Sequence, residues 1–365
     1  MFARFGVLSK LGFILILLQL ALALSSCYYS EKKVKEIIEV KNIEKIFKGR
    51  VNAISYSSKY HALYIATPKG LYKYEVTSSG EVKVIKKGNF VSVKAKDDGS
   101  IIALTDRAVW VYTPLGQWRG YDCPVGKDAD ILGREIWIAS SSGLIRIGPN
   151  RTVRYTPKNS ILKSEHINYL KEKNGEMWVA TALGLYSFKG ITERGWYGDL
   201  ITAEGGKLVQ KRGNVDMPHS FVSKFSFNKD GSMWLATGCG ALLFKNGKIV
   251  KSYTGDYKEA SVWAGKLSYR NVEGNSPLPT GWTTDVASDD AGRVWIGTSK
   301  GLCMFDGKKW VKRFDRIRER IIDIEVASSN EVYVATRSGV YKVKYYKKEI
   351  EKKTTCRMKF GFGRK

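Results

Sequence analysis

At 365 residues the chain exceeds the usual size of a single core, so it needs either several domains or stacked repeating units. Its 61 Lys and Arg against 35 Asp and Glu give a formal net charge of +26. In a cytoplasmic protein that balance would suggest nucleic acid. In an exported one it suggests anionic lipid or polysaccharide, or a solvated lysine-rich surface with no partner at all.

Export is what the N-terminus predicts. Arg4 and Lys10 precede the apolar run Leu11 to Leu24, the charged and apolar regions of a signal peptide. The run is short for a membrane span, which usually needs about 20 residues. It ends in Leu24-Ser25-Ser26-Cys27, which resembles a bacterial lipobox. The resemblance implies cleavage after residue 26, lipid on Cys27 and anchorage to a membrane. Tyr28, not Asp, follows the cysteine, which in a two-membrane cell favours the outer membrane. The expectation is therefore a leader over 1–26, a tether over 27–39 and no nucleic-acid partner. The other cysteines, Cys123, Cys239, Cys303 and Cys356, form no close C-x-x-C pair, and sequence does not pair them.

From residue 64 onward one pattern recurs. It reads YIATPKGLYKY at Thr67, IALTDRAVWVY at Thr105, WIASSSGLIRI at Ser140, WVATALGLYSF at Thr181, WLATGCGALLF at Thr237, WIGTSKGLCMF at Thr298 and YVATRSGVYKV at Thr336. The copies fall roughly every 40 residues, with two longer steps, between Thr181 and Thr237 and between Thr237 and Thr298. Each unit reads as four strands. In the fourth copy Ile167 to Lys171 is the first, Asn174-Gly175 turns the chain, and Met177 to Thr181 and Leu185 to Phe188 follow. Outer strands are clearest at Lys248 to Tyr253 and Lys309 to Phe314. Helical repeats of this period are excluded by the missing 3.6-residue spacing. The prediction is an all-β, seven-bladed β-propeller over 40–349, closed by Val40 to Lys48 as the outer strand of the last blade, with a basic tail over 350–365. The repeated Trp137, Trp178, Trp234 and Trp295 read as packing between blades, and the repeated Ser/Thr as partners of backbone within a blade.

The sixth copy, Asp289, Gly292, Trp295, Gly297, Thr298, Gly301, Leu302 and Phe305, resembles the two-component-regulator propeller repeat. The fourth and fifth copies match it well, the first three loosely. That resemblance implies an extracytoplasmic sensing propeller, of the kind that also occurs alone in exported proteins. Nothing after residue 349 reads as a kinase or a transmembrane relay, so a sensor of this kind would signal through another protein.

Two long intervals, 191–220 and 255–282, are the candidate binding face, because loops on rigid scaffolds carry recognition. They hold Arg194, Trp196, Tyr197 and His219, then Tyr257, Trp263, Tyr269, Arg270 and Trp282. Aromatic and Arg composition suits a protein or glycan partner, although the same rings also suit packing of the loops onto the propeller. Catalytic signals are sparse. His61, His166 and His219 are isolated, and no nucleophile elbow, phosphate loop, metal cluster or cofactor motif appears. A resemblance in architecture to the propeller lyases that open cyclic depsipeptides implies histidine, acidic partners and a metal, and these do not map onto this sequence. The expectation is a lipid-anchored binding, scaffolding or sensory module that is not an enzyme. The alternatives are a lyase or hydrolase acting on a polysaccharide or cyclic peptide, and a structural envelope component. A channel with converging acids would favour the enzyme, and a broad aromatic patch would favour binding.

Overall fold

The computed structural model describes residues 33–76, 80–311, 314 and 316–352. The leader 1–26, Cys27, Cys356, residues 353–365 of the tail and part of the strand expected over Lys309 to Phe314 lie outside the described residues. Within Val40–Tyr345, seven four-stranded antiparallel sheets follow one another as blades. Their first, innermost strands are Ala53–Ser57, Phe90–Ala95, Asp128–Leu132, Ile167–Lys173, Val222–Phe227, Thr283–Ser288 and Ile321–Ser328. Each packs on the next, and Ile321–Ser328 packs on Ala53–Ser57, so the ring closes. In blade 7 the order is Ile321–Ser328, Glu331–Thr336, Gly339–Lys352 and, outermost, Lys33–Lys48. The N-terminal segment therefore does supply the last strand, and it covers an edge that would otherwise be unpaired. Residues 33–39 and 346–352, strand throughout, belong to a second compact unit.

The repeated motif has a mechanical explanation. Each Ser/Thr ends the second strand, and its hydroxyl donates to the carbonyl three residues on: Thr67 to Gly70 at 2.9 Å, Thr181 to Gly184 at 2.9 Å, Thr237 to Gly240 at 2.7 Å. The same oxygen accepts a turn N–H, as from Leu183 at 3.0 Å. One hydroxyl thus satisfies two backbone groups of a buried turn. The glycine that follows is required by shape: Gly184 has φ 109°, and a Cβ there would lie 2.5 Å from the Trp196 carbonyl oxygen.

The aromatic position of the motif builds the seams between blades. Trp137 stacks on Tyr155 at 5.9 Å and meets Phe188 of blade 4 at 5.7 Å. Trp178 stacks on Trp196 at 5.5 Å, and Trp196 meets Phe244 of blade 5 edge-on at 5.2 Å. Trp234, Tyr253 and Phe305 repeat the arrangement at the next seam. Such ring pairs add to the burial of large apolar areas.

The long intervals are ordered hairpins rather than irregular loops. Thr192–Trp196 is the outer strand of blade 4, so the first insertion begins only after it, as the hairpin Leu200–Glu204 and Lys207–Lys211. The second is Tyr257–Trp263 with Lys266–Val272. Gly205-Gly206 and Ala264-Gly265 supply the positive φ values of their two-residue turns. The hairpins touch: the Val262 N–H donates to Gln210 Oε1 at 3.1 Å.

Candidate active site in the central channel

The inner strands alternate in a way that sets the chemistry of the channel. Ile54, Val93, Ala129, Leu170, Phe225, Val286 and Ile324 occupy one equivalent position in the seven blades, and all are buried. The residues on either side are mostly polar. Register places Ala53, Ser92, Asp128, Tyr169, Lys224, Asp285 and Asp323 at one level, each opposite the residue before the motif Ser/Thr. Two residues on come Ser55, Lys94, Asp130, Lys171, Ser226, Ala287 and Glu325. These two levels border a cavity of about 690 Å³, with a smaller one of about 220 Å³ beside Lys224, Asp285 and Glu325. That volume lies in the range of small-molecule sites.

Many of these acids also hold the ring together. Inner strands have no sheet partner on the channel side, so their N–H groups need acceptors. Asp128 Oδ2 accepts from Leu170 N at 2.9 Å and Asp130 Oδ2 from Glu172 N at 2.9 Å. Asp285 Oδ2 accepts from Ile324 N at 2.7 Å and Asp323 Oδ2 from Ile54 N at 2.9 Å. Each bond ties one blade to the next. Lysines neutralise the same carboxylates: Lys94 pairs with Asp128, Lys96 with Asp130 at 3.0 Å and Glu172 at 3.1 Å. Lys224 reaches Asp323 at 2.6 Å and Asp285 at 3.6 Å.

Burial and crowding perturb the groups at the centre. Glu325 is pushed up to about 7 by burial, with Asp323 adding to the rise and Lys171 and Lys224 opposing it. Burial also raises Asp285, against the pull of Lys224 and with the push of Asp323. For Lys224 burial disfavours the charge, but Asp285 and Asp323 outweigh it and hold the ammonium above its ordinary range. Tyr169 is raised well above its ordinary value by burial, then by Asp128 and Glu325, so it stays a neutral phenol. The channel thus joins a carboxyl poised near neutrality, a permanently charged lysine and a phenolic donor. This cluster was not picked out from the sequence. Its signal was polar residues at every second position of strands such as YLKEK and IDIEV, where inner strands should be apolar on both sides.

The residues expected to form the binding face lie elsewhere. None of Arg194, Trp196, Tyr197, His219, Tyr257, Trp263, Tyr269, Arg270 and Trp282 lines either cavity. Trp196 sits in the blade seam, and Arg194 reaches Glu176 at 2.5 Å. Tyr197 packs at the edge of the neighbouring core, with Lys163 Nζ 5.5 Å from its ring centroid. His219 and Trp282 both contact Phe221: the Trp282 and Phe221 ring centroids lie 4.8 Å apart, and His219 Nδ1 accepts the Phe221 N–H at 3.1 Å. Burial lowers the His219 pKa. Tyr257 packs against the fifth-blade core, and Arg270 pairs with Glu259. Trp263 and Tyr269 are open to solvent, at 86% and 65% exposure. Among the described residues no group of His, Cys, Asp and Glu could hold a metal, and none of the three histidines lines a cavity, so the histidine-and-metal arrangement implied for propeller lyases does not fit this chain. Cys123 and Cys239 are free thiols.

Neither a family model nor a curated protein matches the chain by sequence. Solved structures match it in shape. The extracellular domain of a protein described as a one component system from B. thetaiotaomicron superposes with TM-score 0.56 at 14% identity, over 83% of this chain and 40% of that one. This chain therefore spans less than half the length of that protein. A streptogramin B lyase superposes with TM-score 0.53 at 11% identity, over 85% of this chain and 98% of the lyase. Virginiamycin B lyase from Staphylococcus aureus gives 0.52 at 10% identity, over 85% and 99%. At these identities the likeness establishes the seven-bladed propeller class and nothing finer. It does correct one expectation. The expectation of a non-enzyme rested on the sparse catalytic signals of the sequence, yet two lyases have this fold over nearly their whole length. The same architecture serves both an extracellular domain and enzymes, and the acids that would favour an enzyme converge in the channel.

Proposed function

We propose that this chain is an extracytoplasmic propeller lyase or hydrolase that takes a polysaccharide or cyclic peptide into its central channel. The observation that supports it most is Glu325, a carboxyl brought to about 7 in a cavity shared with Lys224 and Tyr169. A general base works best with a pKa near the working pH. Glu325 takes a proton from the substrate or from water, Lys171, which joins none of the described ion pairs, stabilises the negative charge that develops, and Tyr169 donates to the departing oxygen. Lipid on Cys27 holds the enzyme at the membrane, the outer one in a two-membrane cell. The test is turnover of a panel of polysaccharides and cyclic depsipeptides, followed by mass spectrometry. Product formed by the wild type and reduced at least a hundredfold in Glu325→Gln supports the reading. Undiminished turnover in that variant sinks it.

A second role, capture of a protein or glycan partner on the hairpin face, is supported by the exposure of Trp263 and Tyr269. Crosslinking in the native envelope tests it: a partner lost on Trp263→Ala supports the role, and a partner retained in full contradicts it.

A further inference from the structure

The charges bordering the cavity divide into those with a fixed partner and those without one. Lys94, Lys96 and Lys224 are each committed to one or two carboxylates. Lys127, Lys171 and Lys173 also line the cavity, are exposed, and join none of the described ion pairs. Against them stand only Asp97 and Glu325 among the lining acids outside those pairs. The charge available to a ligand is therefore cationic, although the wall as a whole is rich in acids.

The free lysines are also spread along the channel. Lys127 precedes the inner strand of blade 3, Lys171 lies within that of blade 4, and Lys173 ends it. Counted along equivalent strands, Lys127 and Lys173 stand roughly 16 Å apart in depth at about 3.3 Å per residue. Cations at both ends and in the middle suit a chain with a repeated negative charge better than one compact anion. The remaining walls are hydroxyls, carboxylates and the rings of Tyr56, Tyr169 and Phe227, polar edges with flat faces such as a sugar chain uses. The net charge of +26 draws a polyanion toward the protein from a distance.

We infer that the ligand of this channel is a carboxylate-bearing glycan, a uronate chain, with one carboxylate held by Lys171 and its neighbours by Lys127 and Lys173. The inference rests on the channel being the working site, and it narrows the reaction to elimination. Lys171 neutralises the sugar carboxylate and so acidifies the adjacent C–H. The Glu325 carboxylate takes that proton, and the C–H electron pair becomes a carbon–carbon double bond. The neighbouring C–O bond to the departing sugar breaks, and its oxygen takes the phenolic proton of Tyr169. Water then carries the proton from Glu325 back to Tyr169, and no oxidant or metal is consumed.

The experiment measures binding and cleavage separately, using the full chain. Oligogalacturonate, its methyl ester and a sulfated dextran are titrated against Glu325→Gln by calorimetry, then against the double variant with Lys171→Met. The free acid binds at least tenfold more tightly than its ester or the sulfated polymer, and Lys171→Met removes that advantage while the near-ultraviolet circular dichroism is unchanged. Equal binding of acid and ester, equal binding of the sulfated polymer, or no effect of Lys171→Met overturns the inference. Wild-type protein is assayed in parallel for the ultraviolet absorbance of the conjugated product. Selective binding without product leaves the ligand assignment standing and removes the enzymatic reading. Cleavage of a neutral glycan that is indifferent to Lys171 does the reverse.

Discussion

Replacing Glu325 by Gln isolates the group on which the channel chemistry turns. The carboxyl ordinarily titrates at 4.5, but in the folded protein it titrates at about 7. Below pH 4.5 it is neutral in both states and costs nothing. As pH rises from 4.5 to about 7 the unfolded chain ionises it and the folded chain does not, so stability falls. Above 7 the whole penalty is present. A shift of that size corresponds to at most about 3 kcal/mol, and water in the channel screens part of it. Gln keeps the shape of the neutral acid and an oxygen to accept the Tyr56 N–H that now reaches the carboxylate. Urea unfolding at pH 4 and pH 8, followed by tryptophan fluorescence, is the assay. The variant should match the wild type near pH 4 and exceed it by about 1–3 kcal/mol at pH 8. A difference that is the same at both pH values, or a variant weaker at pH 8, refutes the reasoning.

Three further predictions concern the scaffold. Thr181→Val removes the donor to Gly184 and the acceptor of Leu183 N–H from a fully buried site, and should cost about 1–3 kcal/mol in chemical denaturation; an unchanged midpoint contradicts the turn mechanism. Gly184→Ala forces a side chain into a left-handed residue against the Trp196 carbonyl, and should destabilise by more than about 1 kcal/mol; a neutral result would mean the turn relaxes freely. Trp178→Ala should cost about 3–5 kcal/mol through the blade seam, whereas Trp263→Ala, open to solvent, should stay within about 0.5 kcal/mol. Equal losses from the two would mean the exposed hairpin is part of the cooperative fold.

The fold was legible because its determinants are local and repeated. The hydroxyl of Thr181, the turn at Gly184 and the ring of Trp178 act within a few residues of one another, and seven copies make the pattern visible. Closure was legible for the same reason, since Val40 to Lys48 looks like the outer strand a blade needs. The hairpins were half legible: their turns are written in Gly205-Gly206 and Ala264-Gly265, but Trp196 carries the same aromatic character in a blade seam as Trp263 does in solvent. The channel was not legible. Lys224 on blade 5, Asp285 on blade 6, Asp323 and Glu325 on blade 7 and Lys171 on blade 4 meet only after ring closure, and no local spacing records that meeting. A single strand such as IDIEV looks like an exposed edge until six others surround it.

The most direct test of the channel as a working site is the pH dependence of kcat/KM for whichever substrate the wild type cleaves. The account predicts an ascending limb with an apparent pKa near 7, as Glu325 ionises, and loss of that limb in Glu325→Gln together with most of the rate. A profile flat from pH 5 to pH 9, or the same limb surviving in the variant, would contradict it.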